Sequence, residues 1–320
     1  MARLIAATLL LLAGLVGAVS AQSYPNRIIK FIQGFPPGGN VDIIARILAN
    51  EMEKGLGQSI VVEAKPGLAG ALAADTVARS DPDGYTLLIV PSAHPAYGAL
   101  SQNVKYKVVE DFTWISVASF YPFLIAVRKD SRFQTLKQLI DEARANPGAL
   151  KYGSAGTGSI LHTTVELMAH ETKTKFLHVP YRGEAPALTG MLTGDIDFIA
   201  ATTGPIAPRV HSGEFRALAV TGKARLPSLP NVPTAAEAGL PKLDATSWFG
   251  VFAPAKTPRP IVDRLTAEIA KIVATPAFQQ KAAEQGAAAD YMAPEAFGKC
   301  VDAESKRWSE IVKTSKIEAD

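Results

Sequence analysis

Gly34 to Asp42 reads GFPPGGNVD, and the segments on either side of it decide the fold. Ahead lies an apolar run, Ile28, Ile29, Phe31 and Ile32; behind, an apolar-periodic segment extends from Val41 to Leu56. Together they predict a strand, a tight turn and a helix. Paired glycines let the backbone take positive φ and approach a ligand closely. A helix starting near Asn40 or Val41 would aim its free N–H groups and positive dipole end at the turn, which suits an anion. Taken alone, the stretch fits an ordinary strand-to-helix connection equally well.

Working outward, the helical stripe at 43, 44, 47, 48, 52 and 56 ends at Gly55 and Gly57. A β-branched strand follows at Ser59 to Glu63, then a Lys65-Pro66-Gly67 turn and an Ala-rich helix from Gly70 to Arg79. Asp81-Pro82-Asp83-Gly84 turns into the apolar run Tyr85 to Val90. Such alternation predicts a parallel sheet with helices on both faces. Asp111 to Asp130 (DFTWISVASFYPFLIAVRKD) is extended throughout and too long for one buried strand, so it is expected to cross from a first lobe to a second.

A second alternating unit then runs through helix Leu136 to Ala145, strand Leu150 to Ser154, helix Leu161 to Thr172, strand Phe176 to Pro180, helix Ala185 to Leu192, and strands Ile196 to Ala200 and Ala217 to Thr221. Ser247 to Ala253 (SWFGVFA) is the expected return crossing. Helices over Pro260 to Ala274, Pro276 to Gly286 and Pro294 to Val312 would pack back on the first lobe. The expected class is α/β: two doubly wound sheets joined by two hinge strands. Lobe 1 would hold 24–122 plus 251–320 and lobe 2 123–250, with a cleft that closes by hinge motion.

Residues 1–21 read as a secretory signal peptide, with Arg3, an apolar core from Leu4 to Val16 and the small-residue end Val19-Ser20-Ala21. The apolar run is too short to span a membrane, so export to the periplasm is expected. A formal net charge of +3 and no block of Lys or Arg argue against nucleic acid. With 320 residues at 48% apolar content, the chain can bury large cores in two domains. Cys300 stands alone, which excludes an internal disulfide framework and suits a structural thiol.

Ser154-Ala155-Gly156-Thr157-Gly158-Ser159 again ends a strand and opens a helix, adding hydroxyls and N–H groups suited to a carboxylate. Leu161 occupies the place of the third glycine of a dinucleotide fingerprint, and no Walker sequence occurs. No G-x-S-x-G is present, although Ser159 and His162 stand one helical turn apart; a hydrolase or transferase using that pair is the competing class. His94, His162, His170, His178 and His211 lack metal-ligand spacing, so no metal or cofactor is expected. Ser92 and His94 follow one strand, Thr202 and Thr203 another, and ligands in open α/β sheets sit beyond the carboxyl ends of strands. All four would point at the cleft, or else cap neighbouring helices. Trp248 suits the core and Asp197 a sheet end.

Over nearly the whole chain after residue 21, YPNRIIKFIQGFPPGGNVDIIAR, GQSIVVEAKPGLAG, DPDGYTLLI, YGSAGTGSILH, HVPYRGEAPAL, LPNVPTAAEAGLP and SWFGVFAPAKTP resemble the successive motifs of the Bug family. These are periplasmic solute-binding proteins of tripartite tricarboxylate transporters. The resemblance implies a type II periplasmic-binding-protein fold, no catalysis, and capture of a small mono- or dicarboxylate by a monomer that delivers it to membrane permease subunits. The family also serves as sensors for membrane two-component kinases. Its ligands are held by backbone N–H groups and waters in the two glycine turns, which carries over to Phe35, Pro37, Gly38 and Gly39 and to Ser154, Gly156, Thr157, Gly158, Ser159 and His162. Gln33-Gly34, Asn40-Val41 and Ala64-Lys65 depart from the family pattern, the first two beside the expected site.

Overall fold

The computed structural model describes residues 24–101, 104–243 and 245–315. The export segment expected over 1–21 lies outside them. Three apolar runs, β1 (Ile29–Gln33), β2 (Ile60–Ala64) and β3 (Thr86–Pro91), pair in parallel in the order β2-β1-β3. Parallel neighbours need crossovers, and α1 (Asn40–Leu56) and α2 (Ala71–Ala78) supply them. The stripe of α1 buries Ile44, Leu48 and Met52 completely, and Gly57 ends the helix in the left-handed conformation.

The long run expected to cross between lobes is a single strand, β4 (Phe112–Arg128). From Phe112 to Pro122 it pairs antiparallel with β9 (Thr246–Pro254), the expected return crossing. From Phe123 onward its partners change to β7 (Phe198–Thr202) and β8 (Phe215–Val220). β5 (Lys151–Ser154) and β6 (Leu177–Pro180) extend β7 in parallel, so one path of strands runs β2-β1-β3-β9-β4-β7-β5-β6. Register shifts near Ser116 and Ser119 put extra residues into β4 against β9, which bends the strand.

Two helices are absent from the sequence reading: α3 (Ala93–Leu100) and α7 (Thr203–His211). Pro95, Pro205 and Pro208 obscure their pattern. Pro95 and Pro205 fall in first turns, where a missing N–H costs nothing. The remaining helices are α4 (Leu136–Ala145), opened by a capping box of Thr135 and Gln138, α5 (Ile160–Thr172) and α6 (Glu184–Thr193). They are followed by α8 (Arg259–Val273), α9 (Pro276–Glu284) and α10 (Pro294–Ser315). α8 packs on β4 and α1, and α10 on β4 and α3. Trp248 is core and donates its indole N–H to Glu304 (3.1 Å); burial pushes the half-buried Cys300 thiol up to about 11. Asp197 accepts the Lys151 N–H at a sheet end. Among the described residues no helix is long and apolar enough to cross a membrane.

Candidate ligand-binding site

The first turn is fixed from below by side chains. Gln33, buried at the end of β1, accepts the Phe35 N–H (2.7 Å) and donates to Asp42 (3.4 Å). Asp42 also accepts the Gly38 N–H (3.0 Å) and a two-pronged contact from Arg46 (2.9 and 3.0 Å). Burial alone would raise the Asp42 carboxyl, but the Arg46 guanidinium and the Gly38 N–H outweigh it and hold it below the usual carboxylate range. Gly38 has φ +80°, open to glycine at no steric cost. With Gly39 N–H turned to Pro36 O (3.4 Å), the donors left without a partner among the described residues are those of Asn40, Val41 and Asp42, in the first turn of α1.

The second turn is fixed by a buried network. Ser154 Oγ meets His178 Nε2 at 2.6 Å and accepts the Gly156 N–H; the His162 and His178 rings stack at 4.2 Å; Tyr152 donates to Glu166 (2.5 Å). The expected ligand contacts of His162, Ser154, Gly156, Gly158 and Thr157 are corrected here. His162, 4% exposed, points away from the cleft because its Nδ1 accepts the Gly158 N–H (3.0 Å). Ser154 Oγ and the Gly156 and Gly158 N–H groups have their partners inside this network. Thr157 is half-buried but outside the cleft lining. A Cβ on Gly158, whose φ is +76°, would stand 2.4 Å from Tyr97 Cδ2, so this turn presses on α3. Ser159 caps α5 by accepting the His162 backbone N–H (3.4 Å). Burial, then the neighbouring His178, hold the His162 imidazole down to about 3. No nucleophile–base pair forms between Ser159 and His162. The free donors at this helix start are Ile160 and Leu161.

Both helix starts border one cavity of about 280 Å³. Of the expected residues, Phe35, Pro37, Gly38, Gly39, Ser159 and Thr202 line it. Ser92, His94 and Thr203 do not. Ser92 bonds Ser247 (3.0 Å) beneath the sheet ends, and Thr203 packs against the turn at Gly286. His94 is enclosed by Tyr106, Phe112 and Phe252 because α3 turns it inward, and burial holds its pKa down to about 3.

Sequence reasoning missed Asn40, Arg182 and Glu184, which also line the cavity. Arg182 is exposed, whereas Glu184 accepts both the N–H and the hydroxyl of Thr202 (2.6 Å each). Burial outweighs those two donors and pushes Glu184 up to about 7. The signal lay in the HVPYRGEAPAL segment: a carboxylate opening a helix just beyond a strand end. Tyr121 of β4, stacked on Phe249 at 4.4 Å, and Pro91 of β3 complete the polar-poor wall. Among the described residues no group of His, Cys, Asp and Glu is placed to hold a metal.

The family model described as "Tripartite tricarboxylate transporter family receptor" matches residues 44–317. The chain belongs to that receptor family. It is similar to the solved periplasmic binding protein BugD, with TM-score 0.84 and 31% identity over 93% of this chain and 100% of that one. It is also similar to Rpa4515 of R. palustris, solved with adipate, with TM-score 0.85 and 33% identity over 92% and 99% of the two chains. MatC from Rhodopseudomonas palustris, solved with bound malate, gives TM-score 0.83 and 31% identity over 90% and 100%. The receptor thus has the Bug-type α/β periplasmic-binding-protein fold, in a family of solute receptors and not of enzymes.

Proposed function

We propose that this receptor captures a small organic mono- or dicarboxylate in the periplasm and, as a monomer, delivers it to the membrane permease subunits of a tripartite transporter. The observation that carries this reading is the pair of helix starts facing one cavity. Asn40 and Val41 on α1, and Ile160 and Leu161 on α5, offer unpaired N–H groups there. Each helix adds the positive end of its dipole, so an anion gains at either turn without a fixed counter-charge. Apolar side chains such as Phe35, Val41 and Ile160 leave the ligand's carbon skeleton to hydrophobic contact.

The partner change of β4 between Pro122 and Phe123 supports a hinge between lobe 1 (24–122 with 251–320) and lobe 2 (123–250). The adipate and malate found in the two related receptors support a carboxylate of similar size here. A thermal-shift screen of carboxylates, amines and sugars tests the reading. A native-state ligand at about 100 times its Kd adds about 2.7 kcal/mol of stability. A carboxylate should raise Tm; a response to amines or sugars alone would refute the proposal.

A further inference from the structure

Among the described residues, Arg182 is the one positively charged side chain that lines the cavity, and its guanidinium has neither an ion pair nor a hydrogen bond there. It stands on the loop between β6 and α6, whose next residue meets the first turn across the cavity: a Cβ on Gly183 would lie 3.8 Å from Pro36 Cγ. Arg182 is exposed, so a ligand group at the mouth between these two turns can reach it. Its neighbours in the lining, Pro36, Pro37 and Pro186, offer it no side-chain acceptor.

A count of charge says what the arginine is for. A helix start carries about half a positive charge, so the two that face the cavity together match about one carboxylate. A second negative charge on the ligand needs a counter-charge from elsewhere, and Arg182 supplies the one available in the lining. Glu184, the other charged group there, accepts from Thr202, and burial keeps it mostly protonated below about 7, so it does not cancel the guanidinium. Resting on the carboxylate reading of the cleft, we propose that Arg182 holds a second anionic group of the ligand at the cavity mouth, while the starts of α1 and α5 hold the first. The receptor is then selective for dianions. The planar fork of guanidinium donors matches a carboxylate through two parallel hydrogen bonds, so the second group is a carboxylate before any other anion; a neutral amide or an alkyl end leaves the arginine unmatched.

Isothermal titration of the mature receptor with ligands matched except at the far end tests the inference. One series is glutarate, its half-amide glutaramate and pentanoate; the corresponding succinate and adipate series cover chain length. The titrations run at about pH 6.5, where both ligand carboxyls are ionised and Glu184 mostly is not. In the tightest-binding series the dianion should win over both monoanions by about tenfold at low salt, which is about 1.4 kcal/mol. That ratio should shrink as ionic strength rises, because the arginine is exposed. Arg182→Gln should bring the ratio to about one by weakening the dianion alone, and Arg182→Lys, which keeps the charge without the fork, should retain part of it. Equal weakening of all three ligands by Arg182→Gln would mark a structural arginine and overturn the inference. A preference for dianions that survives Arg182→Gln also overturns it, since the second anion then sits at the other helix start. A wild-type ratio near one overturns it while leaving carboxylate capture intact. Failure of every carboxylate to bind is a separate result that removes the proposed function and this inference with it.

Discussion

Glu184→Gln should flatten the pH dependence of both stability and ligand affinity near neutrality. Glu184 is a carboxyl held at about 7, against an ordinary 4.5, by burial at the cleft. Its folded-state value is raised, so it stays protonated in the native state where the unfolded chain has already released the proton. Stability is therefore fully present below about 4.5 and is lost as pH rises to about 7. The gap converts to roughly 3 kcal/mol. Glutamine keeps an acceptor for the Thr202 N–H and cannot ionise, so the variant should recover most of that difference at pH 8 in urea titrations. Glu304 is also pushed up to about 7 by burial, so the informative quantity is the difference between wild type and variant, not the wild-type curve. Tyr121 faces the same region but burial raises its phenol, and His94 and His162 stay neutral at about 3; none of the three titrates in this window. An anionic ligand beside Glu184 should bind less well above pH 7, its Kd rising toward tenfold per pH unit in the wild type, as expected for one linked proton. Identical pH profiles for wild type and Glu184→Gln, in stability and in affinity, would refute the reasoning.

Asp42→Ala should destabilise by about 1.5–3 kcal/mol, the range for a hydrogen bond to a charged group, and weaken ligand binding by loosening the turn at Gly38. Arg46→Ala, which removes a half-exposed partner, should cost about 1 kcal/mol or less by urea unfolding. Gly158→Ala should lose binding and stability beyond Gly57→Ala: both positions have positive φ, but a Cβ at Gly57 meets open space and one at Gly158 meets Tyr97. Equal melting temperatures for the two would contradict the contact drawn between the second turn and α3. His94→Phe should leave ligand Kd unchanged and remove the stability that the wild type loses as pH falls from about 6.5 toward 3; a changed Kd would return His94 to the site.

The strand, turn and helix around GFPPGGNVD were legible because three local signals agree: an apolar run, paired glycines and a stripe that ends at Gly57. β4 was legible from length alone, since no single sheet needs so long an unbroken apolar strand. α3 and α7 were not, because Pro95, Pro205 and Pro208 read as breakers when each helix in fact tolerates them. That omission also misplaced His94. A strand end aimed at the cleft is a local inference, whereas the inward turn of α3 depends on Phe112 and Phe252, which are distant in sequence. The glycine turns were found, but their bonding was not. Spacing cannot show that Asp42 takes the Gly38 N–H or that His162 takes that of Gly158. The free donors consequently lie one step further on, at the first helical residues.

The most direct test of anion capture by two helix starts is a carboxylate titration of the amide-labelled receptor followed by NMR. The account predicts that the N–H signals of Asn40, Val41, Ile160 and Leu161 move together, saturate at the Kd measured by calorimetry, and shift toward stronger hydrogen bonding. Saturable binding that leaves those four amides unmoved, with the changes falling elsewhere in the protein, would contradict it.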